Sequence, residues 1–275
     1  MTEPQATSPL RYPSPFRYPG GKTWLVPCFR QWIRQLPFRP QAVIEPFAGG
    51  ATISLTSILE NLAETAELSE IDDDVAAVWQ AVVDGHSLEL SKRIMQFKPT
   101  PQSVTKELEK EPTSVLDRAF RTIIKNRTFR GGIIAEGSRM MCRGENDRGV
   151  ASRWYPETIA RRFRAIHDAR SHIIFRREDG MNAVRRHCSD TDVVFFLDPP
   201  YATGGKSAGR RLYSHHEVDH NALLLECRSV RGRFLMTCED TDEIRSTALA
   251  CGFQAGKAYI RSAHNRTMKE LIVSN

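Results

Sequence analysis

Residues 193–201 read Val-Val-Phe-Phe-Leu-Asp-Pro-Pro-Tyr, and they restrict the fold more than any other stretch of the chain. Five apolar residues of β-forming type are too few for a helix and suit a strand buried on both faces. Two successive prolines cannot continue a central strand, so the chain must leave its sheet at Asp198. Doubly buried strands belong to parallel sheets covered by helices, and open sheets of that kind bind ligands beyond the carboxyl ends of their strands. The stretch therefore predicts an α/β fold with an acid, a stiff kink and the Tyr201 ring at that edge. A plain Pro-Pro turn with Tyr201 packed as core is the alternative for these residues taken alone.

Other segments extend the pattern. Ala42 to Ile44 is a short apolar run ending in Glu45-Pro46-Phe47-Ala48-Gly49-Gly50, and Ala51 to Leu62 then reads as a helix. Glycines there let backbone approach a ligand at the start of a helix, which suits a nucleoside. The turn is not Gly-x-Gly-x-x-Gly, and a simple strand-to-helix turn is the competing account. Ala66 to Ile71 predicts a second strand, closed by Glu70 with Ile71 beside it; an acid at that place can hold ribose hydroxyls. Asp72-Asp73-Asp74 then starts a helix through Trp79, its acids favoured by the helix dipole. Further strands are expected at 173–175, 193–197 and 233–237, helices near 217–230 and 241–251, and a hairpin over 254–273. Asp179-Gly180, after the 173–175 strand, suits either contact with an adenine amino group or an ordinary turn.

From about Gly85 to Ala169 the pattern turns helical and polar, with helices expected at 87–97, 101–109, 115–126 and 156–170 around a Gly- and Arg-rich loop, 130–150. Between Val115 and Arg170 there are 13 Lys and Arg against 6 Asp and Glu, which exceeds the whole chain's net charge of +6. Twelve of those thirteen are Arg, the residue that forks onto phosphates and guanine edges. A solvated basic face is the plain reading; a polyanion partner is the one this concentration favours. No apolar run approaches a membrane span, Met1 to Pro15 holds no apolar signal core, and a cytoplasmic location is expected. Six cysteines without a Cys-x-x-Cys pair predict neither a disulfide framework nor a zinc site, but buried free thiols.

Arg17-Tyr18-Pro19-Gly20-Gly21-Lys22-Thr23 ends like a phosphate-binding loop, yet position 16 is Phe where that loop needs glycine, and the preceding strand is missing. The segment reads better as a loop over a cofactor, with Lys22 near a carboxylate or base. Asp198-Pro199-Pro200-Tyr201 suits methylation of an exocyclic amine. A carboxylate and the Pro199 carbonyl aimed at the two N–H bonds localise a lone pair otherwise delocalised into the ring, and Tyr201 offers a stacking face for a base swung out of its helix.

Taken in order, these segments resemble the Dam-type, alpha-class DNA adenine-N6 methyltransferases that use S-adenosylmethionine. The likeness runs from Phe16–Lys22 through Glu45–Gly50, Glu70–Asp72, Lys125-Asn126-Arg127, Asp179 and Asp198–Tyr201 to Thr237–Asp240 and Arg266–Asn275. It implies a Rossmann-like methyltransferase sheet with a C-terminal antiparallel hairpin, a discontinuous catalytic domain (1–85 and 168–275) and a helical target-recognition insert (86–167). It implies cofactor contacts from Tyr18, Gly20, Gly21, Lys22, Glu45, Phe47, Ala48, Gly49, Gly50, Glu70, Ile71, Asp179 and Asp198. Asp198, Pro199 and Tyr201 would be catalytic, and Arg17, Asn126, Arg127 and Arg130 would meet double-stranded DNA. No metal is expected, because a sulfonium is already a good electrophile. The resemblance admits a companion restriction endonuclease.

Three positions depart from the family pattern: Ala51 for a glycine, Glu70 for a more usual Asp, and Gly180 for a frequent Phe. The glycine-bearing loop Ala202–Ser214 is expected to move until both substrates bind. Two other readings stay open: an RNA amino-methyltransferase, which more often carries Asn at the first position of the tetrapeptide, and a non-catalytic DNA-binding protein on the same scaffold.

Overall fold

The structure is a computed structural model that describes residues 10, 12–17, 21–144, 147–200, 218–261 and 267–275, with backbone alone at 259–261 and 267–268. Tyr18, Gly20, Tyr201, the 202–214 loop and Arg266 lie outside the described residues.

Seven strands form one sheet in the order β3-β2-β1-β4-β5-β7-β6. The strands are β1 Ala42–Glu45, β2 Thr65–Ser69, β3 Ile173–Arg176, β4 Val193–Leu197, β5 Arg233–Glu239, β6 Gln254–Arg261 and β7 Thr267–Ser274. The first five pair in parallel, while β7 runs antiparallel between β5 and β6. This is the expected Rossmann-like methyltransferase sheet with its terminal hairpin. All five residues of β4 are buried, as the unbroken apolar run required. Chain progression goes one way from β1 to β3 and the other way from β4 to β5, so the order reverses between β1 and β4. That reversal is where open α/β sheets leave a crevice, and it brings Glu45 beside the end of β4.

Helices α1 Val26–Arg34 and α2 Thr52–Leu59 carry Phe29 and Ile53 into a cluster with Val43, Val194, Phe196 and Leu235. A second cluster joins α8 Gly180–His187, α9 His220–Glu226 and α10 Asp242–Ala250 to Ile44, Phe195, Phe234 and Met236. Alternate residues of β1, β4 and β5 thus point into opposite clusters, as the two-residue strand period dictates.

Helix α3, Asp73–Val83, is capped by Asp72, whose side chain accepts from the amides of Asp74 and Val75 at 3.0 and 3.1 Å. Between α3 and β3 come α4 Ser87–Gln96, α5 Pro101–Leu108, α6 Val115–Thr128 and α7 Pro156–Asp168. A single hydrophobic cluster passes from Val78 and Trp79 of α3 into Leu90 and Ile94 of α4, Phe120 and Ile123 of α6 and Phe163 of α7. The helices of the segment 86–167 therefore share their core with the sheet-covering helix they follow. On the far side of the sheet, Glu67 lies in β2; burial raises its carboxyl, but His187, Arg186 and Arg176 beside it outweigh that and lower its pKa, while the contact with Glu67 raises that of His187.

The cysteines split more than expected: Cys227 and Cys238 are buried, with burial pushing each thiol to about 12, whereas Cys28 and Cys142 are exposed. Among the described residues no helix is long and apolar enough to cross a membrane.

Candidate active site

Strand β4 delivers Asp198 to the carboxyl edge, where 22% of its side chain is exposed. Lys22, almost wholly buried, places Nζ 2.8 Å from Asp198 Oδ1 and 3.8 Å from a carboxylate oxygen of Glu270 on β7. Thr237, fully buried on β5, donates its hydroxyl to the same Asp198 Oδ1 at 2.8 Å. Both contacts converge on one oxygen, so Oδ2 keeps its capacity to accept from an amine. One turn further, His220 Nε2 donates to the Pro200 carbonyl at 3.1 Å, and burial lowers this imidazole's pKa, so a neutral ring carries its proton on Nε2. Hydrogen bonds from α9 and β5 thus fix the kink that the two prolines begin.

Beside Asp198 at the switch point, Glu45 accepts the Ser54 amide of α2 at 3.0 Å. Burial pushes its carboxyl up to about 8; the Ser54 bond opposes this, the Asp198 charge adds to it and the Lys22 charge resists it. The turn after β1 is tied to β2 by a bond from the Ala48 amide to the Ser69 carbonyl, 3.0 Å. Gly49 has φ +45°, its amide donates to Glu70 Oε2 at 3.0 Å, and its carbonyl accepts from Trp79 Nε1 at 2.9 Å. Glu70 Oε1 accepts the amides of Ile71 and Asp72, both at 2.9 Å, and burial raises the Glu70 carboxyl to about 7 against those bonds. Glu70 and Gly49 therefore meet at the carboxyl edge of the sheet, with the Ile71 side chain exposed beside them.

Ala51 stands at the N-cap of α2 with φ 47° and ψ 37°, the left-handed region where glycine costs least. Its methyl is buried, so strain and packing oppose each other: left-handed alanine costs about 1–2 kcal/mol, while a buried methyl contributes about 0.8 kcal/mol. Ala51→Gly is accordingly expected to change stability by no more than about 1 kcal/mol, and not to destabilise, in urea unfolding. Ala76→Gly, inside α3 and equally buried, should cost about 1.5–2 kcal/mol because lost helix propensity and lost packing add. Equal costs at the two sites would refute the strain at Ala51.

Asp179 caps α8, accepting the Met181 amide at 2.8 Å through Oδ1. The turn account of Asp179-Gly180 is thus realised for one carboxylate oxygen, and the exposed side chain stays at the edge of β3. Gly180 has no room for a side chain: a Cβ would stand 2.4 Å from the Pro46 carbonyl and 2.8 Å from the Phe47 ring. The Phe47 ring of the first turn fills the space beside position 180.

Two expected DNA contacts need correction. Asn126 is 1% exposed and its amide is fully used: Oδ1 accepts the Arg17 amide at 2.8 Å, and Nδ2 donates to the carbonyls of Arg17 (2.9 Å) and Gly132 (2.8 Å). Arg127 is 6% exposed and donates to the Pro15 carbonyl. Both lie on the apolar face of α6 and bind the N-terminal segment from within, so neither side chain reaches a surface duplex. Arg17 and Arg130 do line an open cavity, together with Arg143 and Arg153.

The donor set fits S-adenosylmethionine: Glu70 suits a ribose diol, Phe47 and Ile71 an adenine face, and the Gly49-Gly50 turn a close backbone approach. Sequence reasoning missed Thr237, His220, Glu270 and Trp79 as supports of this site. Thr237 and Glu270 fall within segments that carry the resemblance, Thr237–Asp240 and Arg266–Asn275, and Thr237 is also a polar residue inside an apolar strand.

Comparison with curated proteins finds no match. Among solved structures, the rRNA methyltransferase AviRa from Streptomyces viridochromogenes is 14% identical, covering 92% of this chain and 84% of its own, with a TM-score of 0.43. The precorrin-6y C5,15-methyltransferase from Geobacter metallireducens is 8% identical, covering 90% of this chain and 85% of its own, with a TM-score of 0.34. A family model described as D12 class N6 adenine-specific DNA methyltransferase matches residues 18–258. With Asp198, Glu70 and the Gly49-Gly50 turn gathered at the switch point inside that span, the chain belongs to the D12 class N6 adenine-specific DNA methyltransferase family.

Proposed function

We propose that this protein methylates N6 of an adenine in duplex DNA, with the target base turned out of the helix into the cleft at the end of β4. The observation that carries this reading is Asp198 at the switch point, held on Oδ1 by Lys22 and Thr237. When bound, S-adenosylmethionine supplies an electrophilic methyl on a sulfonium. Asp198 Oδ2 accepts one N–H of the amine, and the Pro199 carbonyl accepts the other. The amine lone pair is thereby directed out of the ring plane, and the carboxylate stabilises the positive charge that grows on nitrogen. The surplus proton then leaves to water.

Glu70 holds the ribose and Lys22 orients Asp198. Tyr201 is assigned the stacking face for the extruded base, whose unstacking costs roughly a few kcal/mol. Duplex DNA is favoured over RNA by the acid at the first position of the tetrapeptide and by the family's description. The test is transfer of tritiated methyl from the cofactor to plasmid DNA, with transfer RNA and ribosomal RNA in parallel. Label in N6-methyladenine of DNA is expected; label in RNA alone would overturn the DNA assignment, and label in neither would overturn the reaction.

A further inference from the structure

The edge of the sheet that would face the nucleoside is built from three segments far apart in sequence: the turn 46–50 after β1, Ser69-Glu70 at the end of β2, and Glu178-Asp179 after β3. Strand β3 lies at the border of the sheet, and among the described residues it pairs with β2 alone, so the turn after it has a strand on one side only. The two-residue period of β2 sends Leu68 into the cluster of Trp79 and turns Glu67 and Ser69 the other way, toward α8 and the residues before it.

Arg186 of α8 joins these segments. Its Nη1 donates to Glu67 Oε1 and its Nη2 to both oxygens of Glu178, with Oε1 at 2.6 Å. Glu178 Oε1 also accepts the Ser69 hydroxyl at 3.1 Å. Ser69 receives the Ala48 amide of the first turn on its carbonyl, and the Glu70 amide donates to the Arg176 carbonyl at 3.2 Å. Gly180, the first residue of α8, stands against Pro46 and Phe47 with no space for a Cβ. One guanidinium thus lies where bonds from all three segments meet. Stability alone does not explain the arrangement. A buried ion pair is often matched or bettered by apolar residues of similar volume, and Arg176, 3.3 Å from Glu67, already supplies that carboxylate with a counter-charge. What Arg186 adds is the link from Glu67 to Glu178.

We propose that Arg186 is a positioning residue for the cofactor: by bridging Glu67 and Glu178 it fixes the spacing between the end of β2 and the turn after β3, so that Glu70 and Asp179 meet the ribose and adenine of one nucleoside together. The inference rests on the S-adenosylmethionine reading above. Segments held in place before binding lose less freedom when the ligand arrives, so the effect of Arg186 falls on affinity. Asp198 is oriented separately, by Lys22 and Thr237, and methyl transfer from bound cofactor does not depend on Arg186.

The test is equilibrium titration with S-adenosylhomocysteine and with adenosine, which carry the nucleoside but no transferable methyl. Arg186→Met and Glu178→Ala should each raise both dissociation constants about tenfold, the worth of one hydrogen bond to a charged group, and the double variant should go no further than either alone. Glu178→Gln, which keeps an acceptor oxygen, should stay within about threefold of wild type. The rate of tritium transfer at saturating cofactor should remain within about twofold. The control is Arg30→Met, which breaks another forked pair, between Arg30 of α1 and Glu60 at the end of α2, and should leave both constants unchanged. Should Arg186→Met fail to fold, Ser69→Ala loses a single hydroxyl and should still raise both constants about threefold; unchanged constants there would overturn the proposal. Additive losses in the double variant, equal weakening in Arg30→Met, or a slower rate at unchanged affinity would overturn it as well. If wild type binds S-adenosylhomocysteine and the Arg186 and Glu178 variants bind it equally well, the positioning role falls while the cofactor reading stands. If wild type binds neither ligand, the cofactor reading falls and takes this inference with it.

Discussion

Asp198→Ala should lower the methyl-transfer rate by about 10²–10³-fold at saturating DNA and cofactor, with little change in either KM. Removing one pre-oriented electrostatic partner from a reacting centre costs about 2.7–4 kcal/mol of transition-state stabilisation. Asp198 has that place because its carboxylate is oriented before any substrate arrives, by Lys22 and Thr237 at 2.8 Å each. The fold should survive the substitution. Asp198 is partly exposed, and Lys22 keeps Glu270 within 3.8 Å, so its ammonium is not left buried without a counter-charge.

Tritium transfer from the cofactor to plasmid DNA measures the effect, and a rate within tenfold of wild type would remove Asp198 from the chemistry. Thr237→Val adds a sharper test, since Thr237 acts only by holding Asp198. Alone it should slow transfer about tenfold, one hydrogen bond to a charged group being worth about 1.5–3 kcal/mol at most. In an Asp198→Ala background it should do nothing further, because groups that act as a unit are not additive. An additive loss would mean that Thr237 serves something other than the carboxylate.

The architecture was legible where the sequence carries long-range burial in a local pattern. Strands β1, β4 and β5 are short apolar runs ended by acids, and the ends of β1, β2 and β4 place Glu45, Glu70 and Asp198 at one edge. Helix α1 was not visible: nine residues with Arg30, Gln31 and Arg34 on its outer side offer too few turns to establish a period. Helix α8 was hidden by its opening Asp-Gly, which reads equally as a turn, and by its terminal Arg185-Arg186-His187.

The misplaced DNA contacts have a clear cause. The family resemblance alone brings Asn126 and Arg127 to DNA, yet Ala119, Phe120, Ile123, Ile124 and Arg127 follow the three-and-four spacing of one helix face. That period puts Arg127 inside. The links between Thr237 and Asp198, His220 and Pro200, or Trp79 and Gly49 join positions 20 to 39 residues apart. No local pattern encodes them, since they arise only when sheet order brings separate strands and helices together.

Trp79 is the residue on which fold and cofactor turn depend together, and Trp79→Ala is expected to cost about 4–6 kcal/mol. Its side chain is fully buried, packs 5.8 Å from the Phe16 ring and lies in the cluster that runs from α3 into α4, α6 and α7. Truncating a buried tryptophan costs about 3–5 kcal/mol, and leaving the Gly49 carbonyl without its donor adds about 1 kcal/mol or more. Because a domain's entire stability is about 5–15 kcal/mol, that variant tests the core only. Trp79→Phe separates the two roles. It keeps an aromatic ring in the core but removes the 2.9 Å bond to the Gly49 carbonyl, whose amide in turn donates to Glu70. A loss of about 1–2 kcal/mol in urea unfolding is expected, with the cofactor KM raised several-fold and kcat within about twofold of wild type. Unchanged cofactor affinity in a destabilised Trp79→Phe would show that the indole supports the core without shaping the turn, and a fall in kcat at constant KM would place its influence at Asp198 instead.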